Sequence, residues 1–197
     1  MMRYGLLCLL LLLNGCSLPL KSDLPAEQVY RLQPRVVHTA PLPINLYLSS
    51  VEVSPELDSE RVTLIKPPNQ QDFIAHSRWG DTLSSYLHAV VLDALTRSGN
   101  FHSVSSQLVS RDNNYRLLLR VSAFQATYPP EGVGTASVDV AMDALLVRVQ
   151  DQRLLGQHHY AIHKTNVPVS TSQIVSALEQ ALSEALDALL RDMASSF

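Results

Sequence analysis

Cysteine is nearly absent: the 197-residue chain has two, Cys8 and Cys16, and none after position 16. The body of the chain therefore folds without a disulfide and offers no thiolate set for a structural metal. Basic residues are in the minority, 15 Lys plus Arg against 18 Asp plus Glu, for a formal net charge of −3. Binding to a nucleic-acid backbone relies on clustered Lys and Arg, so no nucleic-acid partner is expected. No apolar run approaches the roughly 20 residues that a membrane-spanning helix needs; the leucine block from Leu6 to Leu13 holds eight. The G-x-S-x-G elbow of many esterases is missing, as are internal repeats and low-complexity stretches.

What is present begins at the N-terminus. Arg3 is a basic n-region, Leu6 to Leu13 an apolar h-region, and Gly15 a small residue at a cleavage point. The run Leu13-Asn14-Gly15-Cys16 resembles the cleavage box of bacterial lipoproteins. Residues 1–15 then form a lipoprotein signal peptide, 16–26 a lipidated cysteine with a Pro-bearing tether, and 27–197 a single folded domain. In the lipoproteins that this segment resembles, the cysteine thiol receives a diacylglyceryl group and the freed amine a fatty acyl chain such as palmitate. Each buried methylene contributes about 0.8 kcal/mol, so several chains anchor a protein in effect permanently. Ser17, which is not Asp, implies sorting to the inner leaflet of the outer membrane, facing the periplasm. Cleavage removes Arg3 and no acid, leaving 14 basic against 18 acidic residues, or −4. An ordinary secretory signal with an incidental cysteine is the competing reading.

Hydrophobic spacing divides the domain into strands and two helices. Val29 to Leu32 is a short strand candidate, and Pro41 and Pro43 mark a joint. Ile44, Leu46 and Leu48 share one strand face and Val51 and Val53 take the opposite parity, which calls for a bulge near Ser49-Ser50. Arg61 to Lys66 is another strand, stopped by Pro67-Pro68. Trp79, Leu83, Tyr86, Leu87, Val90, Ala94 and Leu95 recur at helical spacing, ending at Gly99 as a left-handed cap. Tyr115, Leu117, Leu119, Val121 and Ala123 mark a half-buried strand. Val138, Val140, Met142, Ala144 and Leu146 mark the next, with a second irregularity near Leu145-Leu146. A turn at Asp151-Gln152 leads into a returning strand from Leu154 to about Lys164. Ser170 with Gln173 matches a capping box before a helix that buries Ile174, Val175, Leu178, Leu182, Leu186, Leu189, Leu190 and Met193. The expected fold is α+β, a mainly antiparallel sheet with two amphipathic helices packed on one face.

Residues with chemical potential do not converge in the linear pattern. His159 and His163 share a strand face about 13 Å apart at roughly 3.3 Å per residue, too far to ligate one metal ion, and His158 points to the other face. Asp139 and Asp143 are separated likewise, beyond the roughly 5 to 9.5 Å of glycosidase carboxylate pairs. His88 reads as a solvated side chain on the first helix, and Trp79 as a core anchor in preference to a sugar platform. Gly132-Val133-Gly134 precedes a strand instead of opening a helix, so it forms no phosphate cradle. No catalytic residue, metal site or cofactor is assigned.

Four stretches resemble the auxiliary lipoproteins of ABC-type transport systems. They are Val29-Tyr30-Arg31-Leu32; Leu46 to Val53 with Pro55-Glu56-Leu57-Asp58; Arg78-Trp79 with the helix to Leu95 and Ser98-Gly99-Asn100-Phe101; and Tyr115 to Phe124. One departure stands out: Gly80-Asp81-Thr82-Leu83 follows Arg78-Trp79 where many relatives place a proline before the leucine. The resemblance implies a non-enzymatic accessory that docks an MCE-domain periplasmic protein and its ABC transporter during lipid transport between the membranes. Docking would use sheet edges and the loop from Tyr128 to Gly134, and self-association stays open. The alternatives are another envelope assembly lipoprotein, serving outer-membrane protein or lipopolysaccharide insertion, and a periplasmic hydrolase whose Ser/His/acid set assembles from distant residues.

The anchor is directly measurable. Mass spectrometry of the mature N-terminus is expected to find Cys16 carrying a diacylglyceryl thioether, and Cys16→Ser to move the protein from the membrane pellet to the soluble fraction. A free Cys16 thiol on soluble wild-type protein would refute it.

Overall fold

The computed structural model describes residues 26–37, 41–108, 114–130 and 134–196; the expected signal peptide, Cys16 and the expected tether up to residue 25 lie outside them. The strands are β1 (Gln28–Val29), β2 (Leu42–Leu48), β3 (Glu52–Val53), β4 (Arg61–Lys66), β5 (Gln70–Arg78), β6 (Phe101–Ser105), β7 (Tyr115–Thr127), β8 (Thr135–Arg148) and β9 (Arg153–Pro168). The helices are α1 (Leu83–Ser98), between β5 and β6, and α2 (Thr171–Ser195), after β9.

Strand β7 organises the sheet. One of its edges pairs antiparallel with β8 from Tyr115↔Arg148 to Thr127↔Ser137. The other is covered by three short strands laid end to end, all parallel to it: β2 at Tyr115 to Leu117, β3 at Arg120 and Val121, and β4 at Ala126 and Thr127. Beyond them lie β6 beside β2, β5 beside β4, and β1 beside β5. On the far side β9 pairs antiparallel with β8.

The sheet is therefore mixed, which corrects the mainly antiparallel expectation. Parallel pairing joins β1 to β5, β6 to β2, and β2, β3 and β4 to β7. Only β4–β5, β7–β8 and β8–β9 are antiparallel. Alternating apolar residues report a half-buried strand without reporting its direction. The path from β2 through α1 to β6 is long enough for a crossover, and a crossover returns the chain parallel.

The bulge expected at Ser49-Ser50 is present. Leu48 pairs with Leu117 and Glu52 with Arg120, so β7 advances three residues while its neighbour advances four. The second shift lies between Leu146 and Val147, next to its expected place. A third, between Val121 and Ala123, was not anticipated from the pattern. It leaves Ala123 half-buried and turns Phe124 and Ala126 into the core. Strands β5 and β6 also had no counterpart in the pattern. β5 reads Gln-Gln-Asp-Phe-Ile-Ala-His-Ser-Arg, with few apolar residues and with His76 at φ 54°. The short strand expected at Val29 to Leu32 is reduced to Gln28–Val29.

Helix α1 begins later than its apolar spacing suggests. Trp79 belongs to the approach, where its N–H bonds to the Glu60 carbonyl at 2.6 Å, and Leu83 is the first helical residue. Trp79 is nonetheless the anchor expected, 1 % exposed, stacked on Tyr86 at 5.5 Å and edge-on to Phe124 at 5.9 Å. Asp58 caps the helix from outside, accepting from the Ser84 N–H at 2.9 Å and the Ser84 hydroxyl at 3.1 Å. A carboxylate there meets the positive end of the helix dipole. Gly99 ends the helix at φ 66°, the left-handed cap read from the sequence.

In α2 all eight expected core positions are buried, joined by Ala177, Ala181 and Ala185. The alanines let the helix axis lie close to the sheet beneath. Ser170 occupies the N-cap position but makes no side-chain cap bond, so the capping box gave the boundary without its bonds. The inner residues of β7 and β8 and the buried faces of both helices form one continuous cluster. At roughly 1.5 to 3 kcal/mol per large buried side chain, this cluster is the main stabilising term.

Near its C-terminus α2 is tied to β9 by a bond from the Tyr160 hydroxyl to Asp192 Oδ2 at 2.8 Å. Burial, reinforced by this carboxylate, raises the Tyr160 pKa far above its ordinary 10.0. Below pH 10 the phenol is neutral in both states. As pH climbs past 10 the unfolded chain loses the proton that the folded chain keeps, so stability falls with rising pH. A spectrophotometric titration is expected to show a tyrosinate phase that appears only with alkaline unfolding and shrinks in Tyr160→Phe. Loss of the bond should cost this variant about 1 kcal/mol at neutral pH; a Tyr160 that titrates reversibly near 10 in folded protein would contradict the assignment.

Candidate functional site

The first described residues of the chain are fastened to the domain. Residues 30–37 run as an extended strap bonded to both helices. Tyr30 N–H bonds to the Arg78 carbonyl at 2.8 Å and Leu32 N–H to the Tyr86 hydroxyl of α1 at 2.6 Å. The odd-numbered amides then turn to α2: Gln33 N–H to Glu179 Oε2 at 2.7 Å, Arg35 N–H to Ser183 Oγ at 3.1 Å and Val37 N–H to Asp187 Oδ1 at 2.6 Å. Two extended residues span about 6.6 Å and four helical residues about 6.0 Å, so the two ladders stay in step. Pro34, which has no N–H, falls on an even position where no bond to α2 is required, and it is buried with Leu32. The strap was not recognised in the sequence. Its signal is the alternation Tyr30, Leu32, Pro34, Val36 together with acceptors four residues apart on one flank of the last helix.

The outer face of β8 and β9 carries the histidines. His159 Nδ1 lies 2.7 Å from Asp143 Oδ1, and His163 Nδ1 lies 2.6 Å from Asp139 Oδ1. Each is a cross-strand pair in register, so the structure joins every aspartate to a histidine on the neighbouring strand and leaves the two pairs apart. His158 points inward, stacked on Tyr160 with Nδ1 3.4 Å from Asp192. Among the described residues no group of three or more His, Cys, Asp and Glu can hold a metal, and no serine hydroxyl bonds to a histidine ring. His88 is half-buried and its Nδ1 has no hydrogen-bond partner, so it is not the freely solvated side chain expected.

Of the expected docking loop, Tyr128 is half-buried and Gly134 adopts φ 113°, while residues 131–133, with two members of the Gly132-Val133-Gly134 run, lie outside the described residues. The expected sheet edges are β6, β1 and β9, and β9 offers the longest at sixteen residues.

This arrangement, an α+β domain with its N-terminal segment strapped onto both helices, can be set beside known families. The family described as ABC-type transport auxiliary lipoprotein component matches residues 23–194. The chain belongs to that family. Among solved structures, the auxiliary lipoprotein is similar to protein XCC0632 from Xanthomonas campestris, at 20 % identity and TM-score 0.70 over 83 % of this chain and 92 % of that one. It is also similar to an uncharacterized protein, at 17 % identity and TM-score 0.68 over 86 % of this chain and 99 % of that one. At such identities the likeness shows the fold. No curated protein matches the auxiliary lipoprotein. Among its described residues no helix is long and apolar enough to cross a membrane.

The strap yields a testable consequence. Glu179→Ala with Asp187→Ala removes two of the three side-chain acceptors, each bond contributing about 1 kcal/mol. Limited proteolysis is expected to cut the double variant within residues 31–37 well before wild type, with the rest of the domain intact. Equal cleavage rates would show that the buried Leu32 and Pro34 hold the strap unaided.

Proposed function

We propose that this auxiliary lipoprotein is a docking component, without catalytic activity of its own, for an MCE-type intermembrane lipid transport system. In this reading Cys16 is the lipidated residue, the protein sits on the inner leaflet of the outer membrane, and residues 16–26 form the tether to the domain at 27–197. The match to a transport auxiliary family over residues 23–194 carries the reading. The lipobox and Ser17 support the anchor and its membrane. The strap adds a physical reason, because it conveys the anchored end of the chain directly onto α2 and so limits the freedom of the domain near the membrane. Anchoring raises the local concentration of a docking domain where its partner must arrive, which strengthens weak contacts without any new one.

The exposed contact surfaces are the edge of β9 and the outer face of β7 to β9, which no helix covers. A periplasmic MCE protein, its ABC transporter and further copies of this chain are the partners this reading assigns, with the MCE protein engaged at its outer-membrane end.

Gentle cross-linking of a tagged full-length protein in cells is expected to recover an MCE-domain protein, and Cys16→Ser to lower the yield at least tenfold, the factor that about 1.4 kcal/mol of lost effective concentration produces. Recovery of outer-membrane protein or lipopolysaccharide insertion machinery without any MCE protein would overturn the reading.

A further inference from the structure

Where β2 gives way to β3, the outer face of the sheet opens into a cavity of about 290 Å³. Its origin is the one-residue excess opposite β7. The Ser49 N–H still bonds to the Leu117 carbonyl of β7 at 2.9 Å; Ser50 and Val51 then leave the ladder, Val51 turns into the core, and Ser49 and Ser50 are left at the rim. Leu118 and Leu145 form an apolar floor, and Glu52, Arg120, Asp143 and Gln157 complete the polar wall.

The charges on that wall are ordered by the sheet. Glu52, Arg120 and Asp143 are register partners on three successive strands, so acid, base and acid follow one another at the roughly 4.8 Å spacing of neighbouring strands. Opposite charges this near commonly join. Yet among the described residues the Arg120 and Glu52 side chains make no hydrogen bond or ion pair, and Asp143 is engaged from outside the cavity by His159. The hydroxyls of Ser49 and Ser50 and the amide of Gln157 are equally unengaged.

We infer that this cavity binds a zwitterionic amino-phosphate group of the phosphoethanolamine kind. The Arg120 guanidinium takes the phosphate, since its planar fork matches oxyanion geometry, with the two serine hydroxyls as further donors. Glu52 takes the ammonium, Asp143 stays with His159 on the other side of the guanidinium, and the leucine floor accepts the methylenes between. A simple anion would face two carboxylates and a simple cation would face the guanidinium. A ligand carrying both charges a short chain apart satisfies Arg120 and Glu52 together. The group could arrive as a lipid headgroup or as a free metabolite; the recognition chemistry is the same. The inference stands independently of the docking reading, because it concerns purified protein and small ligands.

The test is calorimetry on the full-length protein in amphipol. Glycerophosphoethanolamine is the free headgroup and dihexanoyl phosphatidylethanolamine its lipid form. Glycerol phosphate lacks the amine, ethanolamine lacks the phosphate, and dihexanoyl phosphatidylglycerol controls for partitioning. Both amino-phosphates are expected to bind, with the three controls and the variants Arg120→Gln and Glu52→Gln weaker by roughly tenfold. Tighter binding of the phosphatidylethanolamine assigns the group to a lipid, and equal binding assigns it to a soluble compound. Equal affinity for any control, binding unchanged in both variants while thermal midpoints hold, or no binding of either amino-phosphate would overturn the proposal.

Discussion

A strand of thirteen residues has two rows of backbone amides and carbonyls to satisfy, and β7 does this asymmetrically. β8 covers one edge without interruption in length. The other edge is closed by three separate short strands, each arriving parallel after its own connection. The inner face that results is continuous enough to carry both helices on one core. The outer edge is segmented, and its first joint is where the sheet opens at Ser49 and Ser50. The strength of the fold and the cavity at Ser49 and Ser50 thus follow from the same constraint on β7.

The second organising feature is the strap. An extended segment laid beside two helices has no neighbouring strand to pair its amides. Here the helices supply the acceptors, a hydroxyl from Tyr86 and three side chains of α2 at four-residue intervals. Residues 30–37 are thereby part of the domain, fastened to α2 and the core beneath it.

The cross-strand Asp–His pairs lie on the surface of the molecule. The Asp143–His159 and Asp139–His163 pairs stand in register on an exposed face, where such pairs contribute at most about 1 kcal/mol each. They give the outer sheet face a regular pattern of polar side chains. That pattern agrees with membership of a transport auxiliary family and with the accessory role proposed for the chain.

Local sequence determined everything that depends on a residue and its near neighbours. Periodicity fixed which residues of α2 and β8 are buried, Gly99 marked the end of α1 because only a left-handed residue closes a helix so cheaply, and parity changes located the irregularities near Ser49-Ser50 and Leu146. The run at Gly15-Cys16 carries the anchoring expectation in the same local way. The parallel course of β2, β3 and β4, the strap on Glu179, Ser183 and Asp187, the pairing of each aspartate with a histidine, and the meeting of Glu52 with Arg120 were decided only in three dimensions. Each joins residues far apart in the chain, and side-chain alternation is identical for a strand running in either direction; nothing in a linear pattern distinguishes such partners until the core has set the register.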